Sequence, residues 1–229
     1  MKQFLEIFTF IHIVFGSAAL LSGILAIIFQ KGGKFHNASG KVYYWSMIGI
    51  GITAFSIAIP KGNLFLLMVG GFSTYMTLTG YRFLQFRRNS KLKFGFWDYV
   101  FIAVGFLTIL IPAVYLIQLD WGKIGGIIPV FLVFSVILIS MLTSDLFHSK
   151  KLSSYPKGWF LNRHISRMMG AFIATVTAFL VQNWQTDPIF IAWLLPTVIF
   201  VPLIIYFTKK FKVTSKQLKP QMPTQNSLF

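Results

Sequence analysis

Seven stretches of about twenty mainly apolar residues divide this chain, and that pattern leaves it few folds. They run Phe4–Phe29, Val42–Pro60, Leu64–Phe86, Tyr99–Leu119, Gly125–Phe147, His164–Trp184 and Pro188–Phe207. A helix of that length matches the hydrocarbon thickness of a bilayer, and a helix satisfies its own backbone hydrogen bonds without water. The expected fold class is all-α, a polytopic membrane helix bundle with seven transmembrane helices occupying residues 1–208. The first stretch has features of a signal peptide, with Lys2 ahead of it and Ser17-Ala18-Ala19 within it. Its apolar run continues to Phe29, too long for such a segment, and reads as a span. Only 11% of the 229 residues are charged, against about 25% in soluble globular chains.

The charges are sorted by connection. Eighteen of the 21 lysines and arginines follow spans 1, 3, 5 and 7 or lie at the adjoining helix ends, leaving only Lys2, Lys61 and Lys123 on the other side. Positively charged connections stay in the cytoplasm, so the N-terminus is expected outside and the C-terminus cytoplasmic. Residues 209–229 read as a basic, disordered cytoplasmic tail carrying Pro220 and Pro223. The net charge of +16 invites a nucleic-acid reading. Basic residues that alternate with apolar spans, rather than forming one face, argue against it. With no cysteine, the chain has no disulfide, thiolate metal site or cysteine nucleophile.

Small and hydroxyl residues mark faces where membrane helices approach closely. Span 1 carries His12, Gly16, Ala19 and Gly23 on one face, and span 2 carries Ser46, Gly49, Thr53 and Ser56. Span 6 carries His164, Ala171, Thr175 and Ala178 in the same way. Span 3 is polar at its centre, with Ser73, Thr74, Tyr75, Thr77 and Thr79. Spans 1, 2, 3 and 6 are therefore expected to line the interior. Spans 4 and 7 are bulky and apolar, with Pro112, Pro196 and Pro202.

Chemistry is concentrated at the cytoplasmic helix ends. Asp145 and His148 are three residues apart at the end of span 5, and His164 and Arg167 share that spacing at the start of span 6. His36 lies just before span 2. Three imidazoles and a carboxylate are a ligand set for zinc, iron or another first-row metal, which makes His36, Asp145, His148 and His164 the candidate metal ligands. Arg167 is a candidate to hold an anionic group of a cofactor or lipid substrate. The same residues also read as a solvated rim in which Asp145 pairs with Arg163, Arg167 or a lysine. His12, two turns into span 1, is a candidate cofactor or substrate contact, or a neutral histidine bonded across helices. It has no outer-leaflet histidine partner, which disfavours a two-haem electron path, whereas the cytoplasmic side has enough histidines for one haem b.

Four segments carry a resemblance: "HIVFG" with His12 and Gly16, "KGGKFHNASGKVYY" with His36 and Gly40, "FSTYMTLTGYR" on span 3, and "NRHISRMMGAFIATVTAF" on span 6. Over His12 to about Asn183 the chain resembles a family of bacterial seven-helix membrane proteins catalogued as a domain of unknown function. The resemblance implies a multi-pass protein of the bacterial inner membrane and draws attention to His12, His36 and His164. Members often carry arginine after the loop histidine, where this chain has Asn37. A looser likeness to the seven-helix zinc hydrolases of the ceramidase and adiponectin-receptor superfamily ends at span 7, which has no histidine.

Three functions are open at this point. One is a membrane enzyme with a cytoplasmic metal or haem site, acting on a lipid, a quinone or another small molecule. Another is a transporter using the polar middle of span 3 and His12. The third is an accessory subunit without chemistry of its own.

Overall fold

A computed structural model describes residues 1–118, 128–187 and 190–217. These described residues form seven long helices: α1 (Lys2–Ile28), α2 (Lys34–Lys61), α3 (Leu64–Arg88), α4 (Phe96–Gln118), α5 (Ile128–Ser149), α6 (Lys157–Asn183) and α7 (Phe190–Gln217). A short 3-10 turn, Leu152–Ser154, joins α5 to α6, and there is no strand among the described residues. All seven helices are long and apolar enough to cross a membrane. The expected span limits at Leu119, Gly125 and Pro188, Lys123, and residues 218–229 of the tail lie outside the described residues.

Two helices start well before the apolar runs. α2 begins at Lys34 rather than Val42, and α6 at Lys157 rather than His164, so His36 is helical rather than in a loop. The physical reason is that hydropathy marks the part of a helix needing an apolar surrounding, whereas backbone hydrogen bonding continues into polar turns. The starts are set by chain breakers: Gly33 precedes α2 and Pro156 precedes α6, both extended. α7 likewise continues through Thr208 to Gln217, so the first part of the basic tail prolongs a helix.

The turns have local causes. α2 ends at Gly62, whose left-handed conformation (φ 60°) lets its N–H and that of Asn63 reach back to Ile59 and Ala58. The Asn63 side chain then caps α3 by accepting from the Leu66 N–H at 3.0 Å. In the α1–α2 turn the Lys31 ammonium donates to the carbonyls of Ala26 and Ile27 and lies 4.5 Å from the Phe207 ring centroid. It thereby closes the C-terminal end of α1 and touches α7.

α3 is central, packed against α2, α4 and α6, while α1 lies on α2 and α7 on α6. Tyr75, Met76 and Phe72 of α3 meet Met47 of α2, Leu138 and Leu142 of α5, and Phe172 of α6 in one buried cluster. The approach is close where side chains are absent: a Cβ on Gly51 would lie 2.3 Å from Thr74 Oγ1, and one on Gly71 would lie 2.2 Å from Thr108 Cγ2. The expectation that spans 2, 3 and 6 face inward agrees with their buried faces. α1 buries only Ala19 and Gly23, the second half of its small-residue stripe, and Ser22 beside them. A second aromatic cluster, Phe83, Phe86, Leu152 and Phe160, closes the bundle at the end of α3.

Candidate functional site: a buried ion network

Tyr75, Thr79 and Arg82 follow one another at spacings of four and three along one face of α3. Arg163 and Arg167 are one turn apart on α6, and Asp145 reaches them from the last turns of α5. These three helices meet around the Asp145 carboxylate, which is 4% exposed. Its Oδ1 accepts from Arg167 Nη2 at 2.9 Å, and its Oδ2 accepts from the Tyr75 hydroxyl at 2.6 Å. Arg163 Nη1 stands 3.7 Å from the same Oδ1. Arg167 is itself 2% exposed and donates through Nη1 to Thr79 Oγ1 at 3.2 Å. The Thr79 hydroxyl passes its own hydrogen to the Tyr75 carbonyl at 2.7 Å, completing the loop on α3. The Arg167 guanidinium also lies 5.3 Å from the Tyr75 ring centroid, within cation–π range.

A second pair adjoins the first. Arg82 Nε and Nη2 donate to the two oxygens of Asp98 at 2.8 and 3.0 Å, a two-pronged arrangement. Asp98 also accepts from the Gly95 N–H at 2.8 Å, fixing the first turn of α4. A cavity of about 10 Å³, large enough for about one water, is lined by Asp145 and Thr79 from the first pair and by Arg82 and Asp98 from the second. Three guanidiniums thus share two carboxylates, leaving one net positive charge. Arg163 is the outermost: it donates to Ser144 Oγ at 2.8 Å, lies 4.7 Å from the Trp159 ring and is partly exposed.

The histidines are placed elsewhere. Nδ1 of His36 donates to the Ala26 carbonyl and Nδ1 of His164 to the Gly80 carbonyl, both at 2.9 Å. His148 Nδ1 donates to the Ser144 carbonyl, and its ring lies 5.3 Å from the rings of Tyr155 and Trp159. His12 Nδ1 is 2.8 Å from Thr53 Oγ1. Because the Thr53 hydroxyl donates to the Gly49 carbonyl at 2.7 Å, its oxygen is the acceptor and the imidazole carries its proton on Nδ1. Outside the helices, burial of Lys31 pulls its pKa below the ordinary lysine value, so this ammonium is easier to neutralise than a surface lysine.

This geometry does not support the four-ligand metal expectation. Among the described residues there is no group of three or more histidine, aspartate or glutamate side chains able to hold a metal ion. Asp145 is committed to Tyr75 and Arg167, and His148 lies against the rings of Tyr155 and Trp159. Arg167, expected to hold an anionic cofactor or lipid group, has its guanidinium occupied by Asp145 and Thr79. The pairing of Asp145 with Arg163 and Arg167 was among the sequence expectations, but as a solvated rim; Asp145 and Arg167 are buried instead, and only Arg163 is partly exposed. Tyr75 and Thr79 were visible only as polar residues of span 3, and the Arg82–Asp98 pair was not anticipated. The signal for that pair was local: an aspartate three residues after Gly95, at the start of an apolar run that follows an arginine-ended helix.

No protein-family model, no curated protein and no solved structure matches the chain.

Proposed function

We propose that this chain is a multi-pass protein of the bacterial inner membrane, with its N-terminus outside and its C-terminus in the cytoplasm, and that it works as a proton-responsive transporter or permeation protein. Membrane residence is supported by the seven apolar helices and by large apolar side chains exposed all around the bundle, including Ile28 at 71%, Val136 at 66% and Val198 at 68%. Orientation is supported by the asymmetry of lysine and arginine, and the bacterial assignment rests on the resemblance described for the four segments alone.

The observation that carries the activity is the hold of Tyr75 and Arg167 on the buried Asp145 carboxylate. Ionisable groups at that depth are costly, and a fully apolar contact would hold the helices as well or better. A proton arriving on Asp145 removes the counter-charge of two arginines at once. The network then has two states, one with α3, α5 and α6 tied together and one in which Arg167 seeks another partner. The test is purified protein in liposomes carrying a pH gradient, with flux followed by an internal pH dye and a panel of labelled solutes. Gradient-dependent flux that Asp145→Asn abolishes is expected. Wild-type liposomes no leakier than empty ones across the panel would refute the reading.

A second reading, a haem b protein exchanging electrons with a quinone, is favoured by one observation. His36 and His164 each have Nδ1 tied to a main-chain carbonyl, which leaves Nε2 free to ligate. An absorption spectrum with metal analysis on the same sample tests it. A Soret band lost in His164→Ala supports it, and a colourless, iron-free wild type refutes it.

A further inference from the structure

The end of the bundle away from the arginines carries a different feature. Where α1 begins and α2 finishes, an open groove of about 450 Å³ is lined by Lys2, Leu5, Glu6, Phe10 and Ile13 of α1 and by Lys61 of α2. We infer that this groove binds an anionic phospholipid, with Lys2 and Lys61 on the headgroup and Leu5, Phe10 and Ile13 along an acyl chain. The inference rests on the membrane reading given above.

Three properties of the groove point to that occupant. Its polarity is graded: both lysines and Glu6 lie near the helix ends, while the deeper wall is apolar. The one deeper polar group, the Thr9 hydroxyl, gives its hydrogen to the Leu5 carbonyl at 2.7 Å, so the deeper wall offers a ligand no hydrogen-bond donor. Its length fits: eleven residues separate Lys2 from Ile13, about 16 Å along a helix, close to half of a roughly 30 Å hydrocarbon core. Its charge is unbalanced: two lysines face one glutamate, and among the described residues no ion pair engages either lysine with Glu6. A zwitterionic headgroup would leave that excess unanswered.

The test titrates the purified full-length chain in mild detergent with phosphatidylglycerol and, separately, phosphatidylcholine, counting bound lipids by native mass spectrometry. Each interfacial lysine is worth roughly fivefold toward an anionic headgroup and Glu6 offsets about one of them, so wild type should prefer phosphatidylglycerol by about fivefold. The K2Q/K61Q double variant should lose the preference, and Glu6→Gln should raise it to about 25-fold. Ile13→Trp, which fills the apolar wall, should weaken both lipids together. Equal binding of the two lipids by wild type would overturn the inference, as would a preference that survives K2Q/K61Q. Displacement of the lipid by inorganic phosphate, with Ile13→Trp binding as wild type, would assign the lysines to free anions and overturn it too. Alkaline extraction of cell membranes separates the two levels of failure. A chain released by carbonate sinks the membrane reading itself, whereas a chain that stays but shows no headgroup preference sinks only the lipid site.

Discussion

Removing both partners of the Asp145–Arg167 pair should damage the protein far less than the two single removals added together. Breaking a buried ion pair by deleting one partner costs about 3–5 kcal/mol, because the other charge remains buried without compensation. The two deletions are not equivalent here. Asp145→Leu leaves Arg167 and Arg163 facing each other and the Tyr75 hydroxyl without its acceptor, so it should fall near about 5 kcal/mol. Arg167→Met leaves the carboxylate with Tyr75 and with Arg163 at 3.7 Å, so it should cost about 3 kcal/mol. In the double variant Arg163 can turn toward solvent and only the orphaned Tyr75 hydroxyl and lost packing remain. Its cost should not exceed that of Asp145→Leu, giving a coupling of about 3 kcal/mol, the upper end for contacting residues. The assay is reversible unfolding in mixed micelles, monitored by tryptophan fluorescence, with all four proteins in one detergent. A double variant that loses the sum of the two singles, about 8 kcal/mol, would show that the charges do not act as a unit.

Three further outcomes are expected. Tyr75→Phe removes a hydrogen bond to a buried carboxylate and should cost about 1.5–3 kcal/mol in the same unfolding assay; a loss below about 0.5 kcal/mol would mean that Asp145 does not depend on the phenol. Gly71→Ala places a methyl against Thr108 and should cost about 1–3 kcal/mol, whereas Gly71→Ala combined with Thr108→Ser should recover part of it; an unchanged melting curve for the single variant would contradict the close approach of α3 and α4. Because the chain has no cysteine, Lys2→Cys and Ser227→Cys give clean topology reporters. In intact cells a membrane-impermeant maleimide should label the first and not the second, and the reverse pattern would invert the proposed orientation.

The helices themselves were legible in the sequence, because apolar runs of bilayer length admit little else. Their polar first turns were not, since nothing in hydropathy distinguishes Lys34 to Lys41 as helix from the same residues as loop. The bond between Asp145 and an arginine was also legible: Arg163 and Arg167 sit one turn apart just beyond the connection that follows the aspartate. Tyr75 was out of reach, because it meets Asp145 across 70 residues through the register of α3 against α5, which no local spacing encodes. The metal expectation is unsupported for a related reason: counting ligand types took no account of helix register, which gathers no three of those side chains among the described residues.

The single carboxylate that joins three helices also constrains how the protein is made. Asp145 leaves the ribosome 22 residues ahead of Arg167, a delay of about one to four seconds at ordinary elongation rates. Tyr75, 70 residues upstream, is already available to it, but Tyr75 brings no positive charge. For most of that interval α5 carries an acidic group with neither arginine of α6 yet out of the ribosome, so α5 has reason to wait at the interface and to enter its final position as a hairpin with α6. The network that fastens the finished bundle therefore also sets an order of assembly, in which the fifth helix is completed by the sixth.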